Sequence, residues 1–380
     1  MLDPIIEWFG RLFASLGRGL GMVVAALAWP FLAALRWFRH RGSILRIVIG
    51  ALAAAFVLAN LYFAWQTQVW SGFDPSYAEA YAEARPGISA GEQVASEGDA
   101  ASEGDAASAR TCAPSRIVQA TSDLIGFSVD ENAWVPSMLM YKLGFFGIDW
   151  ENTPFFDNKA SFQRGVLSVL RRTTLELRDV LGRERGTSAV DTDLQNAAGQ
   201  LNFDDETWYF GLDPFGPKTP TPSFYRRGAR YLDDFNARLA SCEATFDPRA
   251  DNLVNLLDRV AKDIGDTSQS IRRRAELSNA GWLDVRADNE FWLSLGKLYG
   301  YYGIVRAARA DFEDVVETRQ IGNLWDRLEE QMRAALDLSP LIVSNGDEDG
   351  FVMPTHLTTM GFYVLRVREN MVDIRSVLDR

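Results

Sequence analysis

Apolar residues along this chain fall into two regimes. Between residues 19 and 65 they form two runs separated by an Arg-rich stretch, and beyond about residue 112 they recur every three or four positions. Residues 47–65 (IVIGALAAAFVLANLYFAW) form an uncharged run of roughly 19 residues, long enough to cross a bilayer as one helix. Tyr62 and Trp65 stand at its far end, where aromatic side chains favour the lipid–water interface. A cleaved signal peptide would need a shorter apolar core with a small-residue site just behind it. The nearest such pattern, Ala78-Glu79-Ala80, is too far downstream, so an uncleaved anchor is expected. A second apolar run, residues 19–35, contains Pro30. It suits either a second span or a helix on the inner surface, continuing an amphipathic start on which Ile5, Trp8, Phe9, Leu12 and Leu16 share a face. The surface placement is preferred.

Past the anchor the pattern changes twice. Residues 67–111 are small, polar and acidic, and hold a near-perfect SEGDAA repeat. Such a segment buries too little apolar surface to offset its ordering entropy, which predicts a flexible linker. From Cys112 on, helical stripes take over. Phe162, Val166, Val169, Thr173, Leu177 and Val180 make one, and Leu253, Leu256, Leu257, Val260, Ile264 and Ile271 another. Ile321, Leu324, Leu328, Met332 and Ala335 follow, then Met360, Val364, Val367, Met371, Ile374 and Leu378. Asp247-Pro248 reads as a helix start, and no sustained period-2 alternation appears. The expected fold is all-α: a membrane-anchor helix followed by a helical bundle of long antiparallel helices, its elongation left open. The division is 1–43 at the membrane surface or cytoplasm, 44–66 transmembrane, 67–111 linker and 112–380 helical domain.

Charge sets the topology. The net charge of -12 splits into +4 for residues 1–66 and -16 for the remainder. Arg36, Arg39, Arg41 and Arg46 lie just before the span and place that side in the cytoplasm, with the acidic domain outside. An acidic domain argues against nucleic acid as a partner.

Three stretches resemble a known family: ENTPFFDNKASFQRGVLSVLRRTTLELRDVL (151–181), SAVDTDLQNAAGQLN (188–202) and RADNLVNLLDRVAKDIGDTSQ (249–269). They are similar to the bacterial envelope proteins grouped as domain of unknown function 2333 (DUF2333). The resemblance implies an inner-membrane anchor with the domain in the periplasm. That family carries no assigned activity, so the resemblance brings no catalytic residue. In an oxidising space Cys112 and Cys242, the only cysteines, either pair or remain two buried thiols.

Candidate chemistry is sparse. Asp149 and Glu151 flank Trp150, and Asp204, Asp205 and Glu206 precede Trp208 and Tyr209. Carboxylates beside aromatics suit acid–base work on a glycan if they converge across a cleft. Otherwise they are solvated loops. Residues 345–350 (NGDEDG) match part of a calcium loop, but Asn345 replaces the first Asp and His356 the bidentate Glu, so no metal is expected. His356 is the one histidine of the outer domain and is expected to be structural rather than a general base, so nucleophilic catalysis is poorly supported. Phe291, Trp292, Tyr299, Tyr301 and Tyr302, interleaved with Gly296, Gly300 and Gly303, suggest core packing or a partner or lipid groove. No cofactor is implied. The expected function is a non-enzymatic envelope scaffold with the bilayer and an envelope protein as partners; the alternative is a cell-wall glycan enzyme or binder.

Overall fold

The computed structural model describes residues 42–82, 90, 93–95, 110–144, 148–183, 189–278, 280–281, 284–346 and 355–380, with short pieces among 29–39. The amphipathic start, most of the 19–35 run, the SEGDAA repeat and the acidic part of the 345–350 loop lie outside the described residues. The chain divides into two compact units, Met1–Tyr62 and Phe63–Arg380.

The first unit contains most of helix α1 (Ser43–Gln68), 26 residues with no acidic group in its first turn and no basic group in its last. At 1.5 Å per residue it is about 39 Å long, enough for a hydrocarbon core of about 30 Å. It is the one helix among the described residues that is long and apolar enough to cross a membrane.

The second unit is all-α. Its helices are α2 (Arg116–Gly126), α3 (Leu139–Leu143), α4 (Asn158–Glu176), α5 (Thr192–Leu201), α6 (Thr221–Ala240), α7 (Ala250–Leu277), α8 (Ala287–Asp311), α9 (Glu313–Thr318), α10 (Gly322–Leu336) and α11 (His356–Leu378). Two short antiparallel ribbons complete it: β1 (Gln93–Ala95) with β2 (Arg110–Cys112), and β3 (Phe210–Leu212) with β4 (Phe215–Pro217). α8 is the central helix. It is apolar on nearly every side because α2, α4, α7, α10 and α11 surround it.

Side-chain caps mark three of the helix starts. Ser115 caps α2, Asp191 caps α5 and Thr355 caps α11, each accepting from a first-turn N–H. Asp247 does not cap α7. Its own N–H bonds to the Leu181 carbonyl, and the helix begins at Ala250.

Helix directions are mixed. α7 and α8 run antiparallel, with Asp263 beside Lys297 and Ser270 beside Glu290. α4 and α8 run parallel, which the stripes did not predict. A Cβ on Gly165 would strike the backbone of α8 at Leu293 and Lys297, one on Gly296 the backbone at Phe162, and one on Gly300 would press on Val169. Glycine at these positions lets the two backbones touch.

The boundary expected at residue 67 is corrected. Phe63 is buried with Val135, Tyr141, Trp150 and Ala160. The buried Lys159 amine donates to the carbonyls of Gln66 (3.1 Å) and Val69 (2.7 Å), a cation at the C-terminal end of α1. Ala78 and Tyr81 are core residues, and Trp70, Phe73 and Tyr77 pack on them. Ring area of this size outweighs the polar neighbours that made the segment read as linker. Cys112 and Cys242 form a disulfide with 5.5 Å between Cα atoms, joining the end of β2 to the second residue past the α6 terminus.

Candidate functional site

Three clusters bear on function, and each begins with α4 or α8. The first is the aromatic face of α8. Phe291, Tyr299, Tyr301 and Tyr302 are buried. Trp70 lies 5.1 Å from Trp292 and 5.0 Å from Phe162, and Phe73 stacks on Tyr299 at 5.3 Å. Tyr77 stacks on Tyr299 at 4.3 Å, donates its hydroxyl to the Tyr299 carbonyl (2.6 Å) and accepts from Gly303 N–H (3.0 Å). A side chain at 303 would collide with that hydroxyl. The groove is therefore filled by the chain's own residues 70–77. Tyr301 faces α7 instead, donating to Asp263 at 2.8 Å.

The second cluster gathers the acidic–aromatic loops. Arg164 of α4 binds Glu151 at 2.9 Å, Asp205 at 3.1 Å and Glu206 at 2.8 Å. The two loops converge, but on one guanidinium that acts as their common counter-ion. Asp204 accepts instead from Thr207 Oγ1 (2.7 Å), closing its own turn. Asp149 begins the turn Trp150–Asn152 without a side-chain capping bond. Trp150 is buried against Phe63 and donates to the Met140 carbonyl at 2.8 Å. Trp208 and Tyr209 meet edge-on at 6.3 Å, with Tyr209 exposed. Arg164 escaped sequence reading because it lies among the apolar positions of the α4 stripe.

The third cluster was missed altogether. The pattern D-N-x6-G occurs twice, at 157–165 and at 288–296. Gly165 lies against Gly296 and Val169 against Gly300. The same register in a parallel pair sets Asp157 beside Asp288 at the two N-termini. Both residues are buried, at 0% and 3% exposure. No carboxylate oxygen of either has a hydrogen-bonding partner. Burial pushes the Asp157 carboxyl up, and the charge of Asp288 adds to it. Asp288 is likewise raised by burial, with Asp284 contributing. Their own backbone amides pull the other way without forming a normal hydrogen bond. The turn before α4 closes over this end: Asn289 donates to the Glu151 carbonyl (3.1 Å) and Arg286 to Asn152 (3.1 Å).

Elsewhere, paired groups dominate. A cleft of about 500 Å³ is lined by Arg306, Arg309 and Asp326 among others; Glu329 engages both guanidiniums and Asp326 engages Arg309. His356 accepts from Ser344 N–H at 3.1 Å, and burial lowers its pKa. Among the described residues no group of three or more His, Cys, Asp or Glu is set to hold a metal ion.

These features define a helical-bundle protein that has, among the described residues, one helix long and apolar enough to span a membrane. The chain belongs to the DUF2333 family, described as "Uncharacterized protein conserved in bacteria", which it matches over residues 133–280 and 272–380. No curated protein and no solved structure matches the chain.

Proposed function

We propose that this is an inner-membrane protein of the bacterial envelope whose helical domain acts in the periplasm as a non-enzymatic scaffold. The orientation follows from Arg36, Arg39, Arg41 and Arg46 ahead of the span. The observation that carries the scaffold reading is the way the chain enters the domain. Phe63 near the end of α1 is buried with Trp150, and residues 70–81 complete the aromatic core. Residues 63–81 thus belong to the folded domain itself, which suits a protein presenting a surface to a membrane partner. The glycan alternative loses its main support, because Glu151, Asp205 and Glu206 share Arg164 and do not face a cleft as free acid and base.

In-cell crosslinking of the full-length protein, followed by mass spectrometry of the purified material, tests this. The control carries an unrelated domain on the same anchor. A stoichiometric partner that disappears with the exchanged domain is expected; equal recovery with both would remove the scaffold reading. Orientation is checked with single cysteines. Glu317→Cys is expected to react with an impermeant thiol reagent on intact spheroplasts, while Leu2→Cys stays protected.

A further inference from the structure

Helix directions decide which loops share an end of the second unit. α7 and α11 are antiparallel, with Gly265 beside Arg368 and Asp258 bonded to Arg375 at 2.5 Å. α8 and α10 are antiparallel, with Arg309 bonded to Asp326 at 2.6 Å and Arg306 bonded to Glu329. Together with the parallel α4 and α8, this gathers the starts of α4, α8 and α11 and the ends of α7 and α10 at one end. Residues 63–68 enter the unit at that same end, through Lys159 and the Phe155 carbonyl, which accepts from Gln68 at 2.8 Å.

Exposed large apolar side chains are divided unequally between the two ends. Leu143, Ile148 and Phe155 precede α4. Leu277 ends α7 at 76% exposure, and Leu341 follows α10 at 86%. Phe215, 79% exposed, sits on the β3–β4 ribbon, which follows the loop tied to α4 through Arg164. At the opposite end, residues 177–183, 241–249 and 311–321 expose no large apolar side chain among those described. Leu365 and Val372 lie along the flank of α11. A folded domain in water has no reason to sort its apolar surface this way.

We propose that this apolar end lies on the lipid surface, with Leu143, Ile148, Phe155, Phe215, Leu277 and Leu341 in the interfacial layer. The proposal rests on the reading of residues 47–65 as a span. Continuity of the chain supplies the occupant. Trp65, the interfacial residue of that span, is one helical turn, about 5 Å, from Gln68. The headgroup layer is about 5–8 Å deep, so the groups that touch Gln68 stand at lipid height. Aromatic and aliphatic side chains at that level gain by leaving water, at roughly 25 cal/mol per Å². The domain is then held to the membrane by a broad face as well as by one helix.

The test uses full-length protein in phosphatidylethanolamine–phosphatidylglycerol vesicles, with a nitroxide on one introduced cysteine at a time. Both native cysteines are in the disulfide and do not compete. Leu143→Cys, Phe215→Cys and Leu341→Cys probe the face, Leu52→Cys the span and Glu317→Cys the far end. The ratio of oxygen to nickel-chelate collisions is expected to be at least about threefold higher at the face than at Glu317. Ratios at the face equal to that at Glu317, with Leu52 deep in lipid, would overturn the inference and leave the anchor standing. Labels shielded from both reagents would mean a protein cover and would also overturn it. A water-like ratio at Leu52 would remove the anchor reading, and this inference with it.

Discussion

Asp157 and Asp288 are carboxyls without partners where two helix N-termini lie side by side. Helix N-termini favour negative charge, yet here burial prevails, helped by the charge of Asp288 at Asp157 and of Asp284 at Asp288, and both carboxyls are raised. In the unfolded chain both titrate near their ordinary value of about 4. Protons held at higher pH in the fold stabilise it fully below that value, and the stabilisation is lost as pH rises through the raised values. The wild-type melting temperature is therefore expected to fall between pH 5 and pH 8, and Asp157→Asn to flatten that fall. An unchanged slope would place the pH dependence elsewhere. Arg164 is the complementary case. Its removal leaves Glu151, Asp205 and Glu206 as neighbouring like charges. The group is partly exposed, so the expected loss for Arg164→Ala is about 2 kcal/mol by urea denaturation, less than for a fully buried pair. Neither role was legible in the sequence, because charge type is visible there and the distance between charges is not.

At the scale of elements, the four stripes predicted helices that exist, and their residues are buried apart from the half-buried Val180 and Leu324. α8 had no stripe to find, because a helix surrounded on all sides has no polar face. Its glycines were the readable signal, and their role is the close approach to α4. Gly296→Ala, which forces a Cβ into the Phe162 backbone, is expected to cost more than about 3 kcal/mol. Gly199→Ala in α5 meets open space and is expected to stabilise by about 0.5 kcal/mol. Chemical denaturation of the two variants side by side separates packing from helix propensity; equal effects would count against the close approach. The disulfide also acts at this scale. It closes a sequence separation of 130 residues, for which chain entropy alone gives about 5 kcal/mol. Reduction is expected to release two thiols only on unfolding and to lower the melting temperature.

For the whole molecule, the boundary of the folded domain is the main outcome. A chain starting at residue 110 would lack Trp70, Phe73 and Tyr77 and leave the aromatic face of α8 open to water. It is expected to aggregate or to melt far below a chain starting at residue 66, as size-exclusion chromatography and a thermal melt would show. Equal behaviour would return residues 67–82 to the linker. The low-complexity repeat therefore falls between two parts of one folded unit, since residues 63–82 and 110–380 share a core.

Properties carried by neighbouring residues were determined by the sequence alone. The apolar run, the basic residues before it, the helical period and the family resemblance all depend on local order along the chain, and periodicity reports local order. The tertiary structure alone decided the properties that depend on separation in space. It sent residues 70–81 into the core, set α4 parallel to α8, matched Asp157 with Asp288 and gathered the exposed apolar side chains at one end of the bundle. Each of these depends on contacts between residues more than a hundred positions apart, or on the direction in which a helix runs, and neither leaves a period in the chain.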